Sequence, residues 1–200
     1  MTREARVMEY VRSQGFPVPG VEEVSDDGLS MVMERIEGAD MVSQMSKRPW
    51  TIPRQGRLLA DLHRRLHGLP APDWLGDAPV GRGNRILHLD LHPLNVMISP
   101  TGPVVIDWTG ASRGDPAVDV ATAWVLMAAA EVPTGRLIAT VLGRARSLLV
   151  KSFIRSFDLD EVRRIISEVV TWKVSDPHMS AAEQARMWQV VEEAEHTSTS

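Results

Sequence analysis

His88-Leu89-Asp90-Leu91-His92-Pro93-Leu94-Asn95, with Val104-Val105-Ile106-Asp107-Trp108 after it, so that Asp107 stands twelve residues after Asn95, is the most informative part of the chain. It puts an acid and an amide five positions apart in a loop that contains a proline. A second acid then ends an apolar run bounded by Thr101-Gly102-Pro103 before it and Thr109-Gly110 after it. Turn residues on both sides mark that run as a short strand, so Asp107 is delivered at a strand end. Gly114-Asp115-Pro116-Ala117-Val118-Asp119 opens a helix directly afterwards, with Asp115 as N-cap and Pro116 at the first helical position, where its missing N–H is no loss. Taken singly, Asp90 and Asn95 read as turn residues and Asp107 as a strand-end cap. Taken together, a carboxylate that can accept a proton, and an amide oxygen and second carboxylate that can hold a hard divalent cation, are the groups phosphoryl transfer requires.

The flanking segments supply a scaffold of mixed type. Val7, Met8 and Val11 recur at helical spacing and predict a helix over 3–13, stopped by Gly15 and Pro17. Residues 21–24 and 29–36 are β-like runs separated by Ser25-Asp26-Asp27-Gly28, whose Asp-Gly pair favours a tight antiparallel turn. A short helix over 40–46 and a break at Pro49–Pro53 come next. Leu58, Leu59, Leu62, Leu66 and Leu69 then mark a helix over 54–69 with one buried face. Residues 68–84 are rich in Gly, Pro and Asp and read as a surface loop. Strand segments are predicted at 86–88, 96–98 and 103–106. An almost wholly apolar helix body follows over 118–130, then helices at 134–150, 158–173 and 180–195, and a frayed tail over 197–200.

Composition limits the classes of function. The 200 residues are 44% hydrophobic and 24% charged, enough for one globular domain with two lobes. There is no cysteine, which removes disulfides, thiolate metal sites and a cysteine nucleophile from consideration. Net charge is −4 with basic residues scattered among acids, so no nucleic-acid partner is expected. Met1-Thr2-Arg3-Glu4 lacks an apolar leader and no apolar run approaches membrane-spanning length, so the expectation is a cytoplasmic protein without a membrane partner. Lysine occurs only at 47, 151 and 173.

The run His88 to Asn95, the triplet Ile106-Asp107-Trp108 and the Gly114-Asp115-Pro116 helix start resemble the aminoglycoside phosphotransferase family. The spacing is also that of the protein-kinase loop H-R-D-L-x-x-x-N, with Leu89 in the arginine position. The likeness runs from Arg3-Glu4-Ala5 through Val32-Met33-Glu34-Arg35 to the helical second half. It implies an α+β, protein-kinase-like fold: a partial N-terminal lobe and hinge over 1–38, made of a helix and an antiparallel strand pair, and a mainly helical C-terminal lobe over 39–196. It further implies that ATP and Mg²⁺ are the cofactors, that Asp90 is the catalytic base and that Asn95 and Asp107 bind Mg²⁺. By the same resemblance the backbone of Glu34, Arg35 and Ile36 meets adenine, and Asp119 braces the catalytic loop through backbone N–H groups. The expected function is ATP-dependent transfer of the γ-phosphoryl group to a hydroxyl of a small molecule, either aminoglycoside-like or an ordinary metabolite.

Two departures qualify that expectation. In protein kinases an arginine beside the catalytic Asp answers a phosphorylated activation loop; here Leu89 stands there and only seven residues separate Asp107 from Asp115, so no activation-loop control is expected. Family members also carry a phosphate-covering hairpin and a strand lysine before the helix that contains Glu4. No lysine precedes Lys47. The expectation is therefore either an upstream start that restores those parts, or a shortened, catalytically weak or inactive kinase-like protein that binds nucleotide or ligand. The raw edge of the remaining strand pair makes self-association an expected property.

The histidines and tryptophans have plainer readings. His63 and His67 share a helix face, but Arg64 replaces the glutamate a zinc protease needs, so both read as solvated or core-edge histidines. His88-x-Asp90-x-His92 could ligate a metal only in an extended strand, which Pro93 and Asn95 disfavour; His88 reads as a brace and His92 as a substrate neighbour. Trp124, Trp172 and Trp188 fall on helical patterns and read as core, with Trp74 and Trp108 less determined. The Glu192-Glu193-Glu195 cluster reads as a solvated face.

Overall fold

The computed structural model describes residues 2–130, 136–177 and 179–196. Thr2 caps helix α1 (Arg3–Ser13), its hydroxyl accepting the Ala5 N–H at 3.1 Å, and Val7, Met8 and Val11 are buried as their spacing predicts. Strands β1 (Val21–Val24) and β2 (Met31–Met33) pair antiparallel around the Ser25–Gly28 turn, where Gly28 has φ +70°. β2 is shorter than the predicted 29–36. The Ser25 N–H bonds the Ser30 carbonyl, which assigns Leu29 and Ser30 to the turn, and pairing ends where Glu34 N–H meets the Gly20 carbonyl at 2.7 Å. Leu29, Val32 and Met33 are exposed on this pair.

A two-residue strand that the sequence did not suggest, β3 (Ala39–Asp40), leaves the hinge to pair with a later strand, and Asp40 then caps α2 (Met41–Lys47) by accepting the Ser43 N–H at 2.8 Å. Gly38 just before it has φ +140°, and a Cβ there would lie 2.2 Å from the Ile98 carbonyl oxygen, so only glycine lets the hinge pass this close. A 3₁₀ turn (Pro49–Thr51) leads into α3 (Ile52–His67), which buries Leu59, Leu62 and Leu66. α3 packs on the later helix Arg136–Ile154 through Gly56, where a Cβ would meet the Leu149 carbonyl at 2.8 Å.

The 68–84 segment forms no regular strand or helix, as expected, but isolated bridges at Pro70–Arg85 and Asp77–Arg113 fasten it down. Strand β4 (Arg85–Leu87) enters the opening loop, a 3₁₀ turn (Pro93–Asn95) leaves it, and β5 (Val96–Ser99) and β6 (Gly102–Val105) form the next hairpin. β5 is central in the sheet β3-β5-β6, while β4 pairs antiparallel with β7 (Ser112–Gly114), a strand the sequence reading lacked. Asp115 caps α4 (Pro116–Ala129) as predicted, accepting the Ala117 N–H at 2.9 Å, and nearly all of that helix is buried. α5 (Arg136–Ile154), α6 (Leu159–Lys173) and α7 (Ala181–His196) complete the helical part. Arg146 and Arg186 donate to the last carbonyls of α4, at Ala128, Ala129 and Ala130, where cations suit the helix dipole. The predicted tail at 197–200 lies outside the described residues.

The tryptophan reading is corrected. Trp108 is the deeply buried one, at 1% exposure, because it fills the space beneath the strand end against Phe16 and His88; Trp188 is 39% exposed. Among the described residues no helix is long and apolar enough to cross a membrane.

Candidate active site

The loop after β4 is held from below by a single carboxylate. Asp119, on the first turns of α4, accepts the Leu89 N–H at 2.7 Å and the His88 N–H at 3.1 Å, and pairs with His67 Nε2 at 2.9 Å. These bonds fix Leu89 at φ +63°, a left-handed conformation that costs a branched L-residue about 1–2 kcal/mol. Leu89 is itself 3% exposed, so the position occupied by arginine in protein kinases here belongs to the core. Burial alone would raise the Asp119 carboxyl, but the His67 hydrogen bond and the neighbouring imidazoles hold it well below the usual carboxylate range.

Two buried histidines are neutral for a structural reason. His88 Nε2 lies 3.1 Å from the Ile106 carbonyl, which can only accept, so Nε2 carries the proton and the buried Nδ1 is a bare acceptor without a partner. His63 Nδ1 likewise donates to the Leu59 carbonyl at 2.9 Å, leaving Nε2 bare among Phe153 and Phe157. Protonating either ring would bury an unanswered cationic N–H, and burial pushes both downward, His63 to about 4. The expectation of solvated or core-edge histidines is thus corrected for His63, which is wholly buried, and His67 is a partner of Asp119. Among the described residues no group of three or more His, Cys, Asp or Glu is arranged to hold a metal, and the His63–His67 and His88–His92 pairs form no such centre.

Above this brace, Asn95 donates through Nδ2 to both the Asp90 carbonyl (2.9 Å) and Asp90 Oδ2 (3.0 Å). The five-residue spacing therefore closes the loop on itself, with Asn95 buried and the Asp90 carboxylate half-buried. The Ile106 N–H bonds the Asn95 carbonyl at 3.0 Å, and with the His88 contact this ties the strand end before Asp107 to the same loop. Asp107 also has φ +63°; its carboxylate is exposed and accepts the Thr109 hydroxyl at 2.7 Å. The segment after it runs through a turn straight into β7.

Glu4 of α1 has a partner the sequence did not disclose. Its carboxylate accepts the Trp108 N–H at 3.1 Å, directly after Asp107, while Arg3 donates to the Ala111 carbonyl and Tyr10 to that of Pro70. α1 is thereby fastened to the Asp107 segment and to the 68–84 loop.

Glu34, Arg35 and Ile36 line a separate open cleft of about 500 Å³ with Phe16, Val18 and the Ser99–Thr101 turn. Asp90, Asn95 and Asp107 do not line it. The Glu34 side chain accepts the Gly20 N–H at 3.0 Å and faces Arg12. On the other side of the loop, His92 sits with Nε2 3.7 Å from Asp90 Oδ2, and burial pushes its imidazole downward against the pull of Asp90. Lys173, at the end of α6, was missed by sequence reasoning. Burial lowers its ammonium while the nearby Asp90 charge opposes that shift, which places it within electrostatic reach of the loop. Eighty-three residues separate it from Asp90, so no local spacing could have shown it.

Comparison with known proteins agrees with this architecture. Residues 72–163 match the model of the phosphotransferase enzyme family. Among solved structures, an aminoglycoside-3'-phosphotransferase of type VIII aligns with a TM-score of 0.56 at 18% identity, covering 96% of this chain and 78% of the other. A choline/ethanolamine kinase family protein from Mesorhizobium loti gives 0.56 at 14% identity, covering 98% and 78%. An aminoglycoside phosphotransferase in ternary complex with ADP and hygromycin B gives 0.53 at 15% identity, covering 94% and 81%. No curated protein sequence matches the chain. The chain has the protein-kinase-like fold of the aminoglycoside phosphotransferase family, and its segment from residue 72 to 163, from the approach to β4 into α6, matches the phosphotransferase family model.

Proposed function

We propose that this chain is an ATP-dependent phosphotransferase that moves the γ-phosphoryl group onto a hydroxyl of a small molecule. The observation that carries the reading is the closed Asp90–Asn95 loop with the Asp107 strand end bonded into it. In the reaction the acceptor oxygen forms a bond to the γ-phosphorus, the bond to the β,γ-bridging oxygen breaks, ADP leaves, and the hydroxyl proton passes to Asp90. Asp90 Oδ2 already accepts from Asn95, which orients the carboxylate and leaves Oδ1 for the hydroxyl.

Asn95 and Asp107 fit a Mg²⁺ site. Both Asn95 hydrogen bonds use the amino group, leaving its amide oxygen to face a cation, and Asp107 presents an exposed carboxylate. Two protein ligands suffice, since Mg²⁺ in nucleotide sites is completed by phosphates and water rather than by an all-protein cage. When bound, the ion would neutralise charge on the phosphates. The hinge cleft at Glu34–Ile36 is the proposed adenine site, with 1–38 as upper lobe and 39–196 as lower lobe. The structures with ADP, and an amicoumacin kinase in complex with AMP-PNP and Ca²⁺ (TM-score 0.52, 13% identity), support a nucleotide in this fold.

The test is ADP formation from Mg²⁺-ATP with a panel of hydroxyl acceptors. Asp90→Ala is expected to lower turnover by roughly 10²–10⁴-fold, the size of a lost general base, with nucleotide affinity retained. Equal turnover removes Asp90 from the mechanism. A second reading, a kinase-like binder without transfer, is favoured by Glu4, whose carboxylate bonds the Trp108 N–H; nucleotide binding without ADP formation for any acceptor selects it. Self-association through the β1–β2 pair is supported by exposed Leu29, Val32 and Met33 and is read by light scattering.

A further inference from the structure

Resting on the phosphotransferase reading, we propose that the acceptor is a neutral hydroxyl compound with an apolar body, seated in the cavity between α2, α4, α5 and α7 beside the catalytic loop. The cavity holds about 620 Å³, within the range of small-molecule sites, and is walled by Met45, Ile52, Leu126, Met127, Leu149 and Met187. His92, Pro93 and Leu94 also line it. Asp90 does not itself line the cavity, but His92, which does, has Nε2 3.7 Å from Asp90 Oδ2, so the cavity borders the loop that carries the proposed base.

The charges present are wrong for a polyamine. Two charged side chains line the cavity among the described residues, Arg146 and Glu183. Glu183 accepts the Ser180 N–H at 3.0 Å as part of the α7 start, and Arg146 donates to the α4 carbonyls. Among the described wall residues Glu183 is the one carboxylate, with one oxygen already taken by the Ser180 N–H, and Lys173 adds positive charge on the Asp90 side. A polyamine entering this cavity would lose the hydration of several ammonium groups against a single, partly engaged carboxylate among the described residues, whereas apolar rings are stabilised by the methionine and leucine walls.

The experiment measures equilibrium binding of naphthylmethanol, a neutral fluorescent alcohol, and of neamine, a polyamino sugar, to the full chain, with and without Mg²⁺-AMP-PNP. Naphthylmethanol is expected to bind and neamine to bind far more weakly. Val42 and Val141 line the cavity and are exposed at 37% and 64%, so a Val42→Asp/Val141→Asp double variant keeps the fold. It should weaken naphthylmethanol binding by about tenfold or more, with unchanged circular dichroism and nucleotide affinity. Neamine binding as tightly as naphthylmethanol, or a variant that binds naphthylmethanol as the parent does, overturns the proposal. So does a dimer of the parent chain that the variant abolishes, which makes a second copy the occupant. Transfer separates the two readings. If neamine is phosphorylated and Asp90→Ala abolishes it, the phosphotransferase reading stands and the apolar acceptor falls; if the alcohol binds but no hydroxyl compound is phosphorylated, the phosphotransferase reading falls.

Discussion

Replacing Asp119 with asparagine would test whether the Asp90–Asn95 loop depends on one buried acceptor. The carboxylate takes the Leu89 and His88 N–H groups at 2.7 and 3.1 Å and pairs with His67 at 2.9 Å, all at 1% exposure. Asparagine keeps the volume and one oxygen, so the best it can do is preserve the Leu89 bond and turn its NH₂ toward His88 and His67. One charge-assisted bond is lost, worth about 1.5–3 kcal/mol, and a buried N–H is left unanswered at about 1–3 kcal/mol more. The sum, about 2.5–6 kcal/mol, brackets the about 3–5 kcal/mol usual for breaking a buried pair from one side. In a chain of this length it predicts a melting temperature lower by roughly 10–15 °C. Leu89, no longer held at φ +63°, can relax, and displacing the proposed base Asp90 by an ångström can lose about 10²-fold in rate. Calorimetry together with ADP formation reads both. A variant melting within about 3 °C of the parent, at full turnover, would refute the assignment of Asp119 as the brace.

Other perturbations follow from the same contacts. His63 accepts a proton near pH 4 in the fold and near 6.5 when unfolded, so between those values the unfolded chain binds more protons and stability falls as pH falls. The loss is at most about 3 kcal/mol from His63, with His88 acting in the same direction; His63→Phe should flatten the dependence in urea titrations across that window. Leu89→Gly relieves about 1–2 kcal/mol of backbone strain but removes a buried leucine worth about 3 kcal/mol, so it should unfold at lower urea, and a stabilised variant would contradict the packing given for Leu89. Gly56→Ala gains about 1 kcal/mol in helix propensity yet drives a Cβ to 2.8 Å from the Leu149 carbonyl; the expected net result is destabilisation by thermal melting. Glu4→Ala removes the bond to the Trp108 N–H, and about 1 kcal/mol of stability should go with it, with hydrogen exchange rising at Trp108.

Local spacing carried much of this protein. Leucines at three- and four-residue steps placed α3, the Asp115-Pro116 pair placed the start of α4, and the turn residues around Val104–Ile106 placed β6, because caps, breakers and periodicity act within a few residues. The Asp90-x₄-Asn95 spacing likewise marked a loop, which the packed structure closes by bringing the two side chains together. Tertiary structure decided what depends on distant partners. It made Leu89 a buried left-handed residue, spent Glu4 on the Trp108 amide, joined His67 to Asp119 across fifty-two residues, and brought Lys173 to the Asp90 side. It also buried Trp108 and exposed Trp188, and enclosed an apolar cavity from four helices that share no local motif. Sequence fixes which groups are available and how neighbours along the chain are oriented; burial, charge pairing and cavity shape belong to the packed whole, where desolvation and long-range contacts outweigh local preference.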